Sequence, residues 1–316
     1  MIISDYCLVP RGQLSGQQVR DFIGRAVDWI LLHLEEFQPL RGSERPNETR
    51  QQALGELCML AVYLRKSPWF DRDPRTELLV AFVADTYLDP RFSERLFRDE
   101  DALLPHVLFS VFLSILDRLP DHSRLRVVER LIHSANVSAY PNHTLLEFSY
   151  ILELGHLAHD LPSLSTLVAR SGIGRLINLA RVTDMEMYHF THAIFHATNF
   201  GYAPGPRLSS KTAAGARRTL DVAMVMYWHG QNWDLLGEFL ICDYCLGQSQ
   251  SPLYQQAWAK LFAAQKSDGS LDGPYFRRDQ LRALRGPARA RYAFDRRYHT
   301  TLVAALAATI CKTPKA

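Results

Sequence analysis

Hydrophobic residues recur at intervals of three and four along nearly the whole chain, which is the spacing of one face of an α-helix. The segments "QVRDFIGRAVDWILLHLEEF" and "GARRTLDVAMVMYWHG" show this spacing with polar residues on the opposite face. Strand signals, such as alternating Val, Ile and Thr bounded by Asn-Gly turns, are nearly absent. Proline and glycine divide the pattern into about twelve segments. The sequence therefore predicts an all-α protein.

The predicted helices group in pairs with a period of about 45 residues, which indicates an internal repeat. The first helix of each pair is amphipathic, and the second is mostly apolar with one polar or ionisable residue near its start. Six such residues align: Glu56, His106, Glu147, His192, Glu238 and His299. Apolar second helices favour six helical hairpins closed into an (α/α)6 toroid, whose inner helix ends converge on a central cavity; an open solenoid is the alternative. We expect one domain over residues 1–316.

A long loop is predicted at 266–294, where it interrupts the last hairpin and would act as a lid over the cavity. The stretch "FRRDQLRALRGPARARYAFDRR", residues 276–297, holds eight arginines and two aspartates. Arginine suits phosphate and carboxylate groups, which makes Arg289 and Arg291 candidates for binding an anionic part of the substrate. A solvated loop without a ligand explains the same composition.

The stretch "MEMYHFTHAIFHATNFG", residues 185–201, places three histidines on one side of a helix. His192 and His196 have the spacing of two metal ligands on a helix, and His189 is a further candidate. With Glu238 and His299 from neighbouring hairpins they would complete a zinc site with an open position for water. The alternative is that these histidines pack or form hydrogen bonds as ordinary structural residues.

Acid–base catalysis is the other chemistry that the repeat alignment favours. His192 and His299 would exchange protons near neutral pH, with Glu238 and Glu147 as the carboxylates beside them. Carboxylates inside apolar helices must pair or line water, because an unpaired buried charge is costly. Purely structural pairing remains open. Three further residues are expected to contact a substrate in the cavity: His106, Tyr188 and Trp233.

Three stretches resemble a known class: "QKSDGSL" at 265–271, "CDYCL" at 242–246 and "RRYHTTLVAALA" at 296–307. They are similar to the (α/α)6 class that contains protein prenyltransferase β-subunits and terpene cyclases, with Leu271 where the characteristic Trp would stand. The resemblance implies the toroid fold and a zinc site formed by Asp243, Cys245 and His299. The "TH…TNFG" helix also resembles an uncharacterised group of actinobacterial all-α proteins.

Composition and motifs exclude several classes of partner. The 316 residues carry 36 basic and 33 acidic side chains, a formal charge of +3 that gives no support for nucleic-acid binding. No apolar run approaches the ~20 residues of a transmembrane helix. Phosphate-loop, dinucleotide and flavin motifs are absent from the sequence. Five cysteines and an N-terminus without a signal-peptide pattern predict a reduced, cytoplasmic protein.

Two functions fit this picture, and the oligomeric state stays open. The first is an intracellular enzyme of small-molecule or secondary metabolism that performs a cyclisation, lyase or transfer step, assisted by zinc or by His/Glu acid–base groups. The second is a non-catalytic helical-repeat protein that binds a peptide or a protein partner. The enzyme hypothesis predicts an open cavity, whereas the second predicts a filled centre in which Glu and His side chains pair with one another.

Overall fold

The computed structural model describes residues 14–41, 47–96, 103–120, 123–134, 137–175, 177–202, 208–247 and 251–314. Within these ranges the chain is all-helical and contains no strand, as the periodicity predicted. The α-helices are, in chain order, α1 (Gly16–Leu32), α2 (Glu48–Lys66), α3 (Pro74–Leu88), α4 (Pro90–Leu96), α5 (Leu103–Ile115), α6 (Ser123–Ser134), α7 (Asn142–Leu154), α8 (Leu164–Arg170), α9 (Asp184–Thr198), α10 (Ser210–His229), α11 (Trp233–Cys245), α12 (Pro252–Ala264), α13 (Arg278–Ala283), α14 (Gly286–Asp295) and α15 (Tyr298–Lys312). Short 3₁₀ turns occupy Leu34–Phe37, Val137–Ala139 and Asn199–Gly201.

Side chains that accept hydrogen bonds from the first turn fix where several helices begin. Thr183 accepts from the backbone N–H of Glu186, whose carboxylate accepts from the Thr183 N–H in return, so a capping box starts α9. Asn232 caps α11 in the same way by accepting from Leu235. These two caps fix the first turns of the helices that carry His192, Asp234 and Glu238.

Six mostly apolar helices form the centre of the fold: α2, α5, α7, α9, α11 and α15. Each packs against the next in this order, and α15 packs against both α11 and α2. The amphipathic helices lie outside them, with α3 against α2, α6 against α5, α8 against α7, and α10 against α11. Every residue from Thr300 to Ile310 on α15 is buried, which explains why this helix is apolar all round. No described helix combines the length and apolar character that a bilayer-spanning helix requires.

The prediction of a long loop at 266–294 is wrong in its second half, because α13 and α14 form there. Pro287 occupies the first turn of α14, where its missing N–H costs nothing. Phe294 anchors α14 by packing against Phe37 and Tyr298.

The turn before α13 is tied to α1. The Gln265 side chain donates to the carbonyl oxygens of Phe22 at 2.9 Å and Gly269 at 3.1 Å, and it accepts from Arg25. Gly269 has φ +90°, and a Cβ there would lie 2.0 Å from the carbonyl oxygen of Arg25. Only glycine fits this approach, so the turn holds a fixed position beside the central helices.

Candidate metal centre

A cavity of about 1010 Å³ lies between the six central helices, and residues from all six line it. Its wall changes in character with depth along these helices. Polar side chains such as Gln52 and His143 stand near the helix N-termini. Ionisable side chains lie between the first and the third turn of these helices, and apolar residues such as Phe112, Ile241 and Leu306 lie beyond them. The backbone around Gly273–Tyr275 borders the polar end.

Five of the six aligned repeat positions lie on the cavity wall: Glu56, Glu147, His192, Glu238 and His299. They come from α2, α7, α9, α11 and α15, so the repeat alignment brought together side chains up to 243 positions apart in sequence. His192 is 48% exposed, and this exposed half faces the cavity.

His106 is the exception, and its expected place in the cavity is wrong. It is fully buried on another face of α5, where its Nδ1 lies 2.9 Å from the Tyr87 hydroxyl. The cavity face of α5 consists of apolar residues, among them Leu108 and Phe112. Because one helical position turns the side chain by about 100°, a shift of one or two residues in the alignment is enough to move it off the wall.

His299 is held between two carboxylates at the start of α15. Its Nδ1 donates to Glu56 Oε2 at 2.7 Å, and its Nε2 lies 3.2 Å from Asp234 Oδ1. Burial opposes a charge on this imidazole, but Asp234 and Glu56 outweigh it and hold the pKa of His299 well above its ordinary value. The two carboxylates therefore favour the protonated form of His299.

Asp234 is buried in the first turn of α11, where the helix dipole favours a carboxylate. Its Oδ2 accepts a hydrogen bond from the Tyr188 hydroxyl. Its Oδ1 has no hydrogen-bond partner among the described residues, although it is fully inaccessible to solvent and faces His299. Protonated His299, 3.2 Å away, compensates the charge of this buried carboxylate, and a bound cation would do the same.

Glu238 lies one helical turn after Asp234 and is also buried. Its Oε2 accepts from the Thr191 hydroxyl, and its Oε1 lies 3.7 Å from His192 Nε2. Burial lowers the pKa of His192, but the hydrogen bond and charge of Glu238 more than offset it, so the pKa of His192 is raised. Burial raises the pKa of Glu147, and the nearby charge of His192 partly reverses the shift.

Ligand atoms of Asp234, Glu238 and His299 lie within 4.8 Å of one another. Each of these side chains forms a hydrogen bond with a residue outside the group of three: Asp234 with Tyr188, Glu238 with Thr191, and His299 with Glu56. A carboxylate on Nδ1 fixes the tautomer that leaves Nε2 available, which is the usual outer contact of a metal-bound histidine. These three residues could hold a divalent cation.

The other two histidines of α9 have different surroundings from His192. The His196 ring stacks on Tyr150 at 4.7 Å, its Nδ1 is buried without a hydrogen-bond partner, and burial lowers its pKa well below the ordinary value. The His189 ring stacks on His143 at 3.9 Å near the polar end of the cavity. Neither belongs to the group of three convergent ligands.

The remaining candidates divide between the cavity and the surface. Tyr188 lines the cavity, as expected of a residue near the substrate. Trp233 is half-buried against the core and does not line the cavity. Arg289 and Arg291 are exposed on α14 away from the lining, and Arg291 pairs with Asp295 at 3.7 Å.

Asp243 and Cys245, which the resemblance pairs with His299, do not reach it. They lie in the last turn of α11, whereas Asp234 and its contact with His299 belong to the first turn. Nine residues of helix separate Asp243 from Asp234 by about 13 Å. The carboxylate beside His299 therefore comes from the opposite end of the helix that the resemblance implied.

Sequence analysis missed Asp234 and Thr191 as parts of this cluster. Asp234 stands four residues before Glu238, so the i, i+4 spacing on one helix face could have identified it. Thr191 carries no such signal, because it is adjacent in sequence to His192 and its role depends on how α9 packs against α11.

A family model described as a domain of unknown function, DUF6895, matches residues 23–309. The chain belongs to this family. No curated protein and no solved structure matches it. The matched range of this DUF6895 protein contains Asp234, Glu238 and His299 together with the three residues that hold them.

Proposed function

We propose that this DUF6895 protein is a metal-dependent enzyme of small-molecule metabolism, with its six central helices closed into a toroid around the active site. The packing of α15 against both α11 and α2 supports the closure, since it joins the last inner helix to the first. The lining of one cavity by all six helices supports it as well.

The observation that carries the metal centre is the set of three convergent ligand atoms on Asp234, Glu238 and His299. A tetrahedral zinc ion with bonds of about 2.1 Å separates its ligand atoms by about 3.4 Å. The 3.2 Å between His299 Nε2 and Asp234 Oδ1 agrees with such an edge. A cation there would replace the Nε2 proton of His299 as the positive partner of Asp234 Oδ1.

Zinc is the first candidate for the ion, because it accepts both imidazole nitrogen and carboxylate oxygen as ligands. When bound, such an ion supplies Lewis-acid polarisation of a substrate oxygen. His192 contributes the proton chemistry: it faces the cavity, lies 3.7 Å from Glu238 Oε1, and has a pKa that Glu238 raises above its ordinary value.

A cyclisation, lyase or transfer step suits this arrangement, because each needs an oxygen polarised and a proton moved at a defined place. The apolar depth of the cavity holds a compact, partly apolar substrate. The competing hypothesis of a partner-binding protein agrees with the Glu56–His299 pair but not with an open space of this size.

The test is the metal content of untagged protein, measured by elemental analysis after incubation with zinc and gel filtration. We expect about one metal per chain in the wild type and in the control His133→Ala, whose histidine lies on the distant α6. Asp234→Asn and His299→Ala are expected to bind less than a tenth as much. Zinc-free wild type, or retention of zinc by both site variants, would overturn the proposal.

A further inference from the structure

We infer that the substrate of this cavity is an amphiphilic amine, with an apolar body in the deep half and a cationic nitrogen beside Glu147. The inference rests on the proposed function in one respect, namely that the cavity is the substrate site. It goes beyond that proposal by assigning the charge and shape of the molecule that enters.

The polar half of the cavity is acidic. Among the described lining residues, six carry carboxyl groups: Glu48, Glu56, Glu147, Asp234, Glu238 and Asp295. Arg296 is the one lining residue with a lysine or arginine side chain in the same set, and its guanidinium lies 5.8 Å from the centre of the Tyr292 ring. Even with a divalent ion bound, the net charge of the lining residues stays negative. This charge opposes the binding of a carboxylate or phosphate substrate.

Glu147 is the carboxylate in the middle of the wall that remains for the substrate, because Asp295 pairs with Arg291 and Glu48 is exposed at the cavity mouth. Glu56, Asp234 and Glu238 already face His299 or His192 within 4 Å, whereas Glu147 has no hydrogen bond or ion pair with a described residue. It extends from α7 and lies close enough to His192 for the charge of His192 to lower the pKa of Glu147. An ammonium group at this position would compensate the cost of a carboxylate held deep in the protein.

The deep half of the cavity is apolar and closed by an aromatic floor. Phe200 forms part of this floor, stacking on Phe195 at 4.8 Å and lying 5.3 Å from Tyr63. Phe200 has φ +51°, between Asn199 at +47° and Gly201 at +77°. A large side chain is rarely kept in the left-handed region unless its surroundings demand it, so the fold retains local strain to place this ring.

The mouth of the cavity also presents apolar surface. Met185 and Tyr275 line it and are 61% and 65% exposed. The cavity thus has an apolar rim, an acidic middle and an apolar floor. This order fits a molecule whose hydrocarbon part enters first and reaches the floor, while its nitrogen stays in the acidic middle.

The test is calorimetric titration with octylamine, octan-1-ol and octanoate, which share one hydrocarbon chain and differ in charge. The titrations use metal-free and zinc-loaded protein at pH 7.5. We expect octylamine to bind at least tenfold more tightly than octanoate, with octanol between them. Butylamine should bind at least tenfold more weakly than octylamine, since each buried methylene changes affinity by roughly fourfold.

The matched variants are Glu147→Gln and Glu35→Gln, the second removing the same charge from an exposed position outside the cavity. Glu147→Gln should reduce the preference for octylamine over octanoate to less than threefold, while Glu35→Gln should keep it. Octanoate binding as tightly as octylamine, an unchanged preference in Glu147→Gln, or no binding of the three compounds would overturn the inference. Metal content decides the proposed function separately, because amine preference is measured without metal as well as with it.

Discussion

Replacing Glu56 by glutamine tests whether the contact behind His299 tunes a metal centre. The change keeps the size and shape of the side chain and removes the charge from the acceptor of the His299 Nδ1–H, which lies 2.7 Å away. His299 keeps its neighbour Asp234 and its position on α15. The substitution therefore alters the strength of one outer contact without removing a ligand.

The expected magnitude follows from the hydrogen bond that changes. A bond to a charged acceptor contributes about 1.5–3 kcal/mol and one between neutral groups about 0.5–1.5 kcal/mol, so the loss is about 1–1.5 kcal/mol. This corresponds to about tenfold weaker metal binding, at the lower end of the 10–100-fold range typical of such outer contacts. Metal stoichiometry should stay at about one per chain.

The assay is competition for zinc with a chromophoric chelator, from which the Kd of each variant is obtained. Glu48→Gln is the matched control, because Glu48 lies on the same helix and lines the cavity mouth without contacting His299. A Kd for Glu56→Gln within twofold of the wild type, or an equal loss in Glu48→Gln, would refute the role given to this contact.

Three further predictions concern groups outside the metal centre. Burial raises the pKa of Asp243 to about 6, with Asp221 adding to the shift and Arg217 opposing it. Because the folded protein then holds this proton more tightly than the unfolded chain does, the free energy of unfolding falls as the pH rises toward 6. Asp243→Asn should therefore raise the free energy of unfolding by about 1–2 kcal/mol at pH 7.5 and by almost nothing at pH 4, as denaturant titration at both values would measure. Gly269→Ala should destabilise the fold by about 2–4 kcal/mol, because its Cβ would collide with a backbone carbonyl of α1. Gly247 has φ +79° and open space around it, so Gly247→Ala should cost only about 1–2 kcal/mol. His106→Ala should lower the Tm by about 5 °C or more, because it leaves a buried cavity and removes a hydrogen bond. His192→Ala should change the Tm by less than about 3 °C. A larger drop for His192→Ala would contradict the position of His192 on the cavity wall.

The periodicity of the chain predicted the helices well because each second helix is apolar over most of its surface. Such a helix must be surrounded by others, so its burial could be inferred before its neighbours were known. The recurrence of one ionisable residue near each start located five lining residues correctly. It failed for His106 because sequence spacing gives the order of positions along a helix but not the rotation of that helix in the fold.

The loop prediction failed at α14 because the contacts that stabilise this helix come from residues distant in sequence. Phe294 packs against Phe37 in the aromatic contact that holds it. The zinc ligands that the resemblance implied do not come together for a related reason. Asp243 and Cys245 lie on the correct helix but at the end away from His299.

The sequence by itself determined that this protein is helical, that its helices alternate between amphipathic and apolar, and that histidines and carboxylates recur near one end of the apolar ones. Those features depend on local periodicity, which the order of residues contains in full. Only the tertiary structure decided that Asp234 and Glu56 enclose His299 and that Thr191 and Tyr188 hold the neighbouring carboxylates. It also decided that Glu147 forms no hydrogen bond or ion pair with a described residue. Each of these contacts joins two helices, and its geometry depends on the rotation and depth at which they pack.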